Sequence, residues 1–137
     1  MNQFARYSCA VLLLFAADRA QLANAQESKV SGDAERGKYI VENVAMCGRC
    51  HTPLNAAGMT DYDRRLAGAP ILQPVPGWAQ YAPRIAGQPP GTDDQFVRLL
   101  TTGITRTGHP PRQPMPQFHM SKADAEAVLA YLKSLRR

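Results

Sequence analysis

The stretch "MCGRCHTP", residues 46–53, places two cysteines three residues apart, with a histidine directly after the second. A disulfide between Cys47 and Cys50 would leave His51 without a role. A thioredoxin-type C-x-x-C belongs in a βαβ setting, and the flanking sequence shows no such alternation. Zinc takes four nitrogen, sulfur or oxygen ligands. Cys47, Cys50 and His51 supply three, with His109 or His119 as a distant fourth, and there is no second tight ligand pair.

C-x-x-C-H is also the attachment pattern of c-type haem, and that chemistry uses all three side chains. Two thiols on one helical turn can each add to a haem vinyl group, and the following histidine is then carried beneath the iron. The second axial ligand decides what such a site does. Met/His ligation suits electron transfer at a raised potential, whereas an open position suits small-ligand binding or catalysis. The candidates are Met59, Met115, Met120, His109 and His119, Met46 being too near the attachment turn. Met115 has the stiffest setting, because Pro114 and Pro116 flank it in "RQPMPQF" (112–118) and both restrict the backbone. Met120 abuts the expected cap Ser121 and reads as a hydrophobic staple onto Ala125. His109 and His119 read as surface loop residues. Trp78, Tyr81 and Arg84 in "PGWAQYAPRIAG" (76–87) fit two readings equally, as donors to haem propionates or as ordinary loop packing.

Three helices are expected around this site. The first spans about 33–46, with Asp33 as N-cap and Tyr39, Ile40, Val41 and Val44 as its apolar residues. Gly37 inside it costs about 1 kcal/mol relative to Ala, which a close helix crossing would explain. The second spans 93–102, with a Thr92/Gln95 capping box and Gly103 as its stop. The third spans 122–135, capped by Ser121 with Asp124 in its first turn; Ala125, Val128, Leu129, Leu132 and Leu135 follow helical spacing. All eleven prolines fall in 53–116, so that region reads as extended loop without strands, broken by the second helix. Three short helices and this much loop make a thin core, which a large buried cofactor would complete.

The chain has 137 residues, which suits one domain. Residues 1–25 have the order of a secretory signal peptide: basic Arg6, the apolar run "CAVLLLFAA" (9–17), then Ala23 and Ala25 before Gln26. The apolar run is well short of the roughly 20 residues that span a bilayer. A domain is expected at 26–137. Cleavage would remove Cys9 and take away two positive charges and one negative, leaving +4 of the formal +5. The basic residues are scattered, and export argues against a nucleic-acid partner.

Four segments together resemble a class I c-type cytochrome of the monohaem, periplasmic, dehydrogenase-associated kind: "GDAERGKYIVENVAMCGRCH" (32–51), "DDQFVRLLTTGI" (93–104), "QPMPQF" (113–118) and "SKADAEAVLAYLKSL" (121–135). The resemblance implies an all-α, small cytochrome c fold, with terminal helices crossing around one covalently bound haem c and long Pro-rich loops. It implies Cys47 and Cys50 as thioether anchors, His51 as proximal iron ligand and Met115 as distal ligand. Gly37 and Val41 would meet Val128 and Tyr131 where the terminal helices cross, and Pro70 is the candidate for the backbone carbonyl that orients the proximal histidine. The implied function is periplasmic electron transfer, from a dehydrogenase donor to a cytochrome or oxidase acceptor, without catalysis. The alternative is a haem-based sensor or peroxidase-like subunit with an open iron.

Overall fold

The computed structural model describes residues 33–73 and 75–135. The expected signal peptide and the first residues of the expected domain lie outside them. Helix α1 runs over 33–44, regular to residue 39 and closing in a π-helical turn over Ile40–Val44. Asp33 already lies in its first turn rather than at the cap. The helix stops short of the expected residue 46. Met46 adopts φ +48, a left-handed backbone that a right-handed helix cannot continue through. The chain then enters the single turn α2, Gly48–His51.

Helices α3 (Asp93–Thr102) and α4 (Lys122–Ser134) begin where their caps predict. The Thr92 hydroxyl accepts from Gln95 N at 3.3 Å, and the Gln95 side chain returns to Thr92 N at 3.1 Å. Ser121 accepts from Asp124 N at 3.1 Å. Gly103 ends α3 at φ +69. Two dipeptides that carry no strand signal pair antiparallel: β1 (Ala69–Pro70) lies beside β2 (Tyr81–Ala82), with Ala69 opposite Ala82 and Pro70 opposite Tyr81. No strand was expected there, because two-residue strands are too short to generate an apolar alternation. Apart from this pair, α3 and a 3-10 turn over Tyr62–Arg64, which the Asp61 side chain caps by accepting from Asp63 N and Arg64 N at 3.2 Å, the rest of the described proline-rich region is loop.

The terminal helices meet at Gly37. A Cβ built there would overlap the Ala127 carbonyl and come within 2.9 Å of Tyr131 Cβ. The glycine is therefore the condition for this contact, and its helix-propensity cost buys a close approach. Val41, Leu66 and Leu132 are among the largest fully buried side chains, and they share one core cluster with Phe96, Leu100 and Val128. The crossing is braced by polar groups. Tyr131 OH donates to Glu42 Oε1 at 2.7 Å, and Arg65 pairs with the same oxygen at 2.8 Å.

Gly37→Ala is expected to cost at least about 2 kcal/mol in chemical denaturation, since the methyl meets backbone that cannot rotate away. Gly58→Ala, at φ +75 but with nothing within 4 Å, should cost only the backbone strain of a left-handed residue, about 1–2 kcal/mol, with no clash added. Burial first, then the hydrogen bond to Glu42, push the Tyr131 phenol up to about 12. The folded state therefore favours the protonated phenol. Its contribution is complete below the ordinary tyrosine value near 10 and is lost as pH rises toward 12. Tyr131→Phe should flatten that alkaline loss in stability-versus-pH titrations.

Candidate functional site

Cys47, Cys50 and His51 come together because α2 is a single turn: His51 N donates to Cys47 O at 3.0 Å and Cys50 N to the same oxygen at 3.3 Å. Both thiols are free, Cys50 exposed and Cys47 partly buried. Burial pushes the Cys47 thiol up to about 11, so it is protonated at neutral pH. Among the described residues no three His, Cys, Asp or Glu side chains converge as a metal site. His109 and His119 are exposed loop residues outside the cavity described below.

His51 is buried, and its Nδ1 lies 2.7 Å from the Pro83 carbonyl oxygen. A carbonyl only accepts, so Nδ1 carries the proton. Burial lowers the imidazole pKa below its ordinary value, against the opposing pull of the Pro83 hydrogen bond. The ring is therefore neutral at pH 7, with Nε2 as its free lone pair. The orienting carbonyl belongs to Pro83 and not, as expected, to Pro70. Pro70 lies on β1, and the β1–β2 pair instead delivers Pro83 as the residue directly after β2.

These residues line a cavity of about 320 Å³, within the usual span for ligand sites. Its walls come from the end of α1, from α2, from the segment around β2, from α3, from the loop after α3 and from α4. They are chiefly apolar, including Ile71, Ile85, Phe96, Leu100, Phe118 and Leu132. Met115 lines the same cavity as His51, and so does Met120. Met120 also packs on the core cluster and donates its N–H to Leu100 O at 2.9 Å, consistent with the structural role read from its position. The Gln113–Pro114 bond in the Met115 loop is cis. Gln113 O accepts from Ala79 N at 2.7 Å, tying that loop to the segment before β2.

Of the three residues considered from 76–87 for carboxylate binding, only Tyr81 lines the cavity. Arg84 turns away and donates to Ala86 O at 2.9 Å; Trp78 is not part of the lining. The charged residues that do line it are Arg106 and Arg112, on the same loop as Met115, and no acidic residue accompanies them in the wall. A signal was available: residues 95–123 contain three arginines and no Asp or Glu, so these guanidiniums have no carboxylate close by in sequence. The donor set fits a c-type haem. Two thiols and a neutral imidazole with its Nδ1 proton fixed stand on the wall of an apolar cavity, with two guanidiniums available for carboxylates.

A family model for cytochrome c matches residues 34–136. The chain belongs to the cytochrome c family. It is an electron-transfer haem protein, and the family implies covalently bound haem c. Three relatives share sequence with the chain. The chain is 48% identical over 44 residues to a diheme cytochrome c-type protein of Cereibacter sphaeroides, covering 32% of this chain and 15% of that protein. It is 32% identical over 113 residues to the fructose dehydrogenase cytochrome subunit of Gluconobacter japonicus, covering 75% of this chain and 22% of the relative. It is 29% identical over 113 residues to one of the subunits of a nicotinate dehydrogenase of Pseudomonas putida, covering 77% of this chain and 9% of the relative. The chain thus spans less than a quarter of the length of each of these relatives.

Because His109 and His119 are exposed and outside the cavity, replacing both with Ala should leave the visible absorption spectrum of the haem-loaded protein unchanged. A shifted spectrum would return one of them to the site.

Proposed function

We propose that the protein is a class I monohaem cytochrome c of a bacterial periplasm, exported by the leader at 1–25, with its cytochrome c domain at 26–137. It takes one electron from a dehydrogenase and passes it to another cytochrome or an oxidase. The observation that carries this reading is that His51, with its Nδ1–H committed to Pro83, lines one cavity with Met115. Haem bound there would supply an iron that alternates between ferric and ferrous states. Cys47 and Cys50 would hold it through thioether bonds, His51 Nε2 and the Met115 sulfur would ligate its iron, and Arg106 and Arg112 would face its carboxylates. One C-x-x-C-H motif in the 137 residues supports one haem.

The chain's own contribution is to set a potential and to exclude water. The Pro83 carbonyl, accepting from Nδ1–H, makes His51 a more basic ligand. The Met115 thioether as the second ligand would raise the potential relative to a second imidazole. The apolar walls keep solvent from stabilising the extra positive charge of the oxidised state, which raises it further. The names of the two dehydrogenase relatives support a dehydrogenase as donor. Among the described residues no helix is long and apolar enough to cross a membrane.

Carbon monoxide added to the dithionite-reduced protein at neutral pH should leave its spectrum unchanged, because His51 and Met115 would both ligate the iron. Met115→Ala should make the reduced protein bind CO. Ready CO binding by the wild type would replace electron transfer with the sensor or peroxidase-like reading, in which the iron is open.

A further inference from the structure

The contact between His51 and Pro83 spans 32 residues of sequence, and neither residue explains why the other is there. Leu66 connects them. It is fully buried, and its backbone sits at φ +57, a conformation unusual for a branched apolar residue. Its N–H donates to Thr52 Oγ1 at 3.0 Å, so it is tied to the residue directly after His51. Its carbonyl accepts two N–H groups, Ile85 at 3.0 Å and Ala86 at 3.1 Å, so it is also tied to the segment that follows Pro83. Just beyond it in the chain, Gly68 N donates to the His51 carbonyl at 2.8 Å. One strained residue therefore bridges the turn that bears the imidazole and the segment that bears its acceptor. Next to it, Arg65 pairs with Glu42, which also accepts from Tyr131. The bridge is thus anchored to the helix crossing.

We propose that Thr52 and Leu66 are positioning residues for the His51 imidazole, with the Arg65–Glu42 pair as their outer anchor. This rests on the reading of His51 as the iron ligand. Thr52 Oγ1 is the replaceable part of the bridge. Without it the Leu66 N–H is left buried and unpaired, which costs more than the hydrogen bond itself. Leu66 then relaxes from its left-handed backbone, and the Pro83 carbonyl is released from its fixed distance to Nδ1. A weaker acceptor at Nδ1 makes His51 a poorer donor and favours the reduced iron. The signature is local: faster exchange of the Nδ1 proton, together with a higher midpoint potential.

The test uses the haem-loaded protein and its variants. In Thr52→Val, the His51 Nδ1 proton, followed by NMR in the reduced state, should exchange at least about tenfold faster, and the midpoint potential should rise. Thr52→Ser restores the oxygen and should return both to wild-type values. Leu129→Ala, a core truncation away from the cavity lining, should lower stability and move neither readout. Should Thr52→Val fail to accumulate, Arg65→Gln is read the same way, with a smaller change in the same direction. The proposal is overturned if Thr52→Val, or Arg65→Gln in its place, leaves both readouts at wild type. It is equally overturned if Leu129→Ala moves them as far. A wild-type protein without haem overturns the proposed function along with this inference, whereas a haem-loaded wild type with unresponsive variants overturns the inference alone.

Discussion

Everything at this site depends on which nitrogen of His51 is free. The 2.7 Å contact of Nδ1 with the Pro83 carbonyl settles it by committing that nitrogen as a donor. Were that carbonyl missing, the buried ring would need another partner for its N–H, and Nε2 would not be reserved. The irregular backbone between α2 and α3 makes sense in this light. It carries a two-residue strand pair and a left-handed Leu66 whose hydrogen bonds converge on the few residues around Thr52 and Pro83. A loop-rich region is expensive in chain entropy, and here the ordering serves to hold one carbonyl in one place.

The helices have the complementary task. Gly37 lets α1 and α4 approach to backbone distance, and Val41 and Leu132 pack in the core cluster with Phe96 and Leu100 of α3. Several of these apolar residues also form the cavity wall. The core is thin because part of its volume is cavity, and the covalently bound haem that the family implies would supply there the apolar surface that four short helices lack. The charges follow the same division. The ion pairs of Arg36 with Asp124, Arg65 with Glu42 and Lys133 with Asp93 brace the helices and the loop beside them, while Arg106 and Arg112 stand in the cavity wall.

What was legible in the sequence was local. The caps at Thr92 and Ser121 act within one turn, and the C-x-x-C-H spacing is a single turn of helix, so residue types alone disclose them. The stiff setting of Met115 was legible because its flanking prolines restrict the backbone independently of the rest of the fold; that it lines one cavity with His51 is what the structure adds. What was not legible depends on pairings between distant segments. Pro70 was a near miss by one strand: it belongs to the pair that positions Pro83, but only the register shows which proline faces the imidazole. The end of α1 at residue 44 rests on the left-handed Met46, which no propensity announces. Arg84 was the arginine considered for carboxylates and Arg106 and Arg112 were passed over; only tertiary structure shows that Arg84 is spent on Ala86. The absence of acidic residues through 95–123 was a usable clue to the other two.

The reading of the site stands on covalent attachment of haem at Cys47 and Cys50, with His51 as its ligand. The direct measurement is mass analysis of the intact purified protein and of its proteolytic fragments after acid–acetone extraction. The haem is expected to stay with the protein and travel with the single fragment containing residues 47–51, with neither cysteine available to a thiol reagent. Haem lost to the solvent, or a haem-free fragment with two reactive thiols, would contradict that reading.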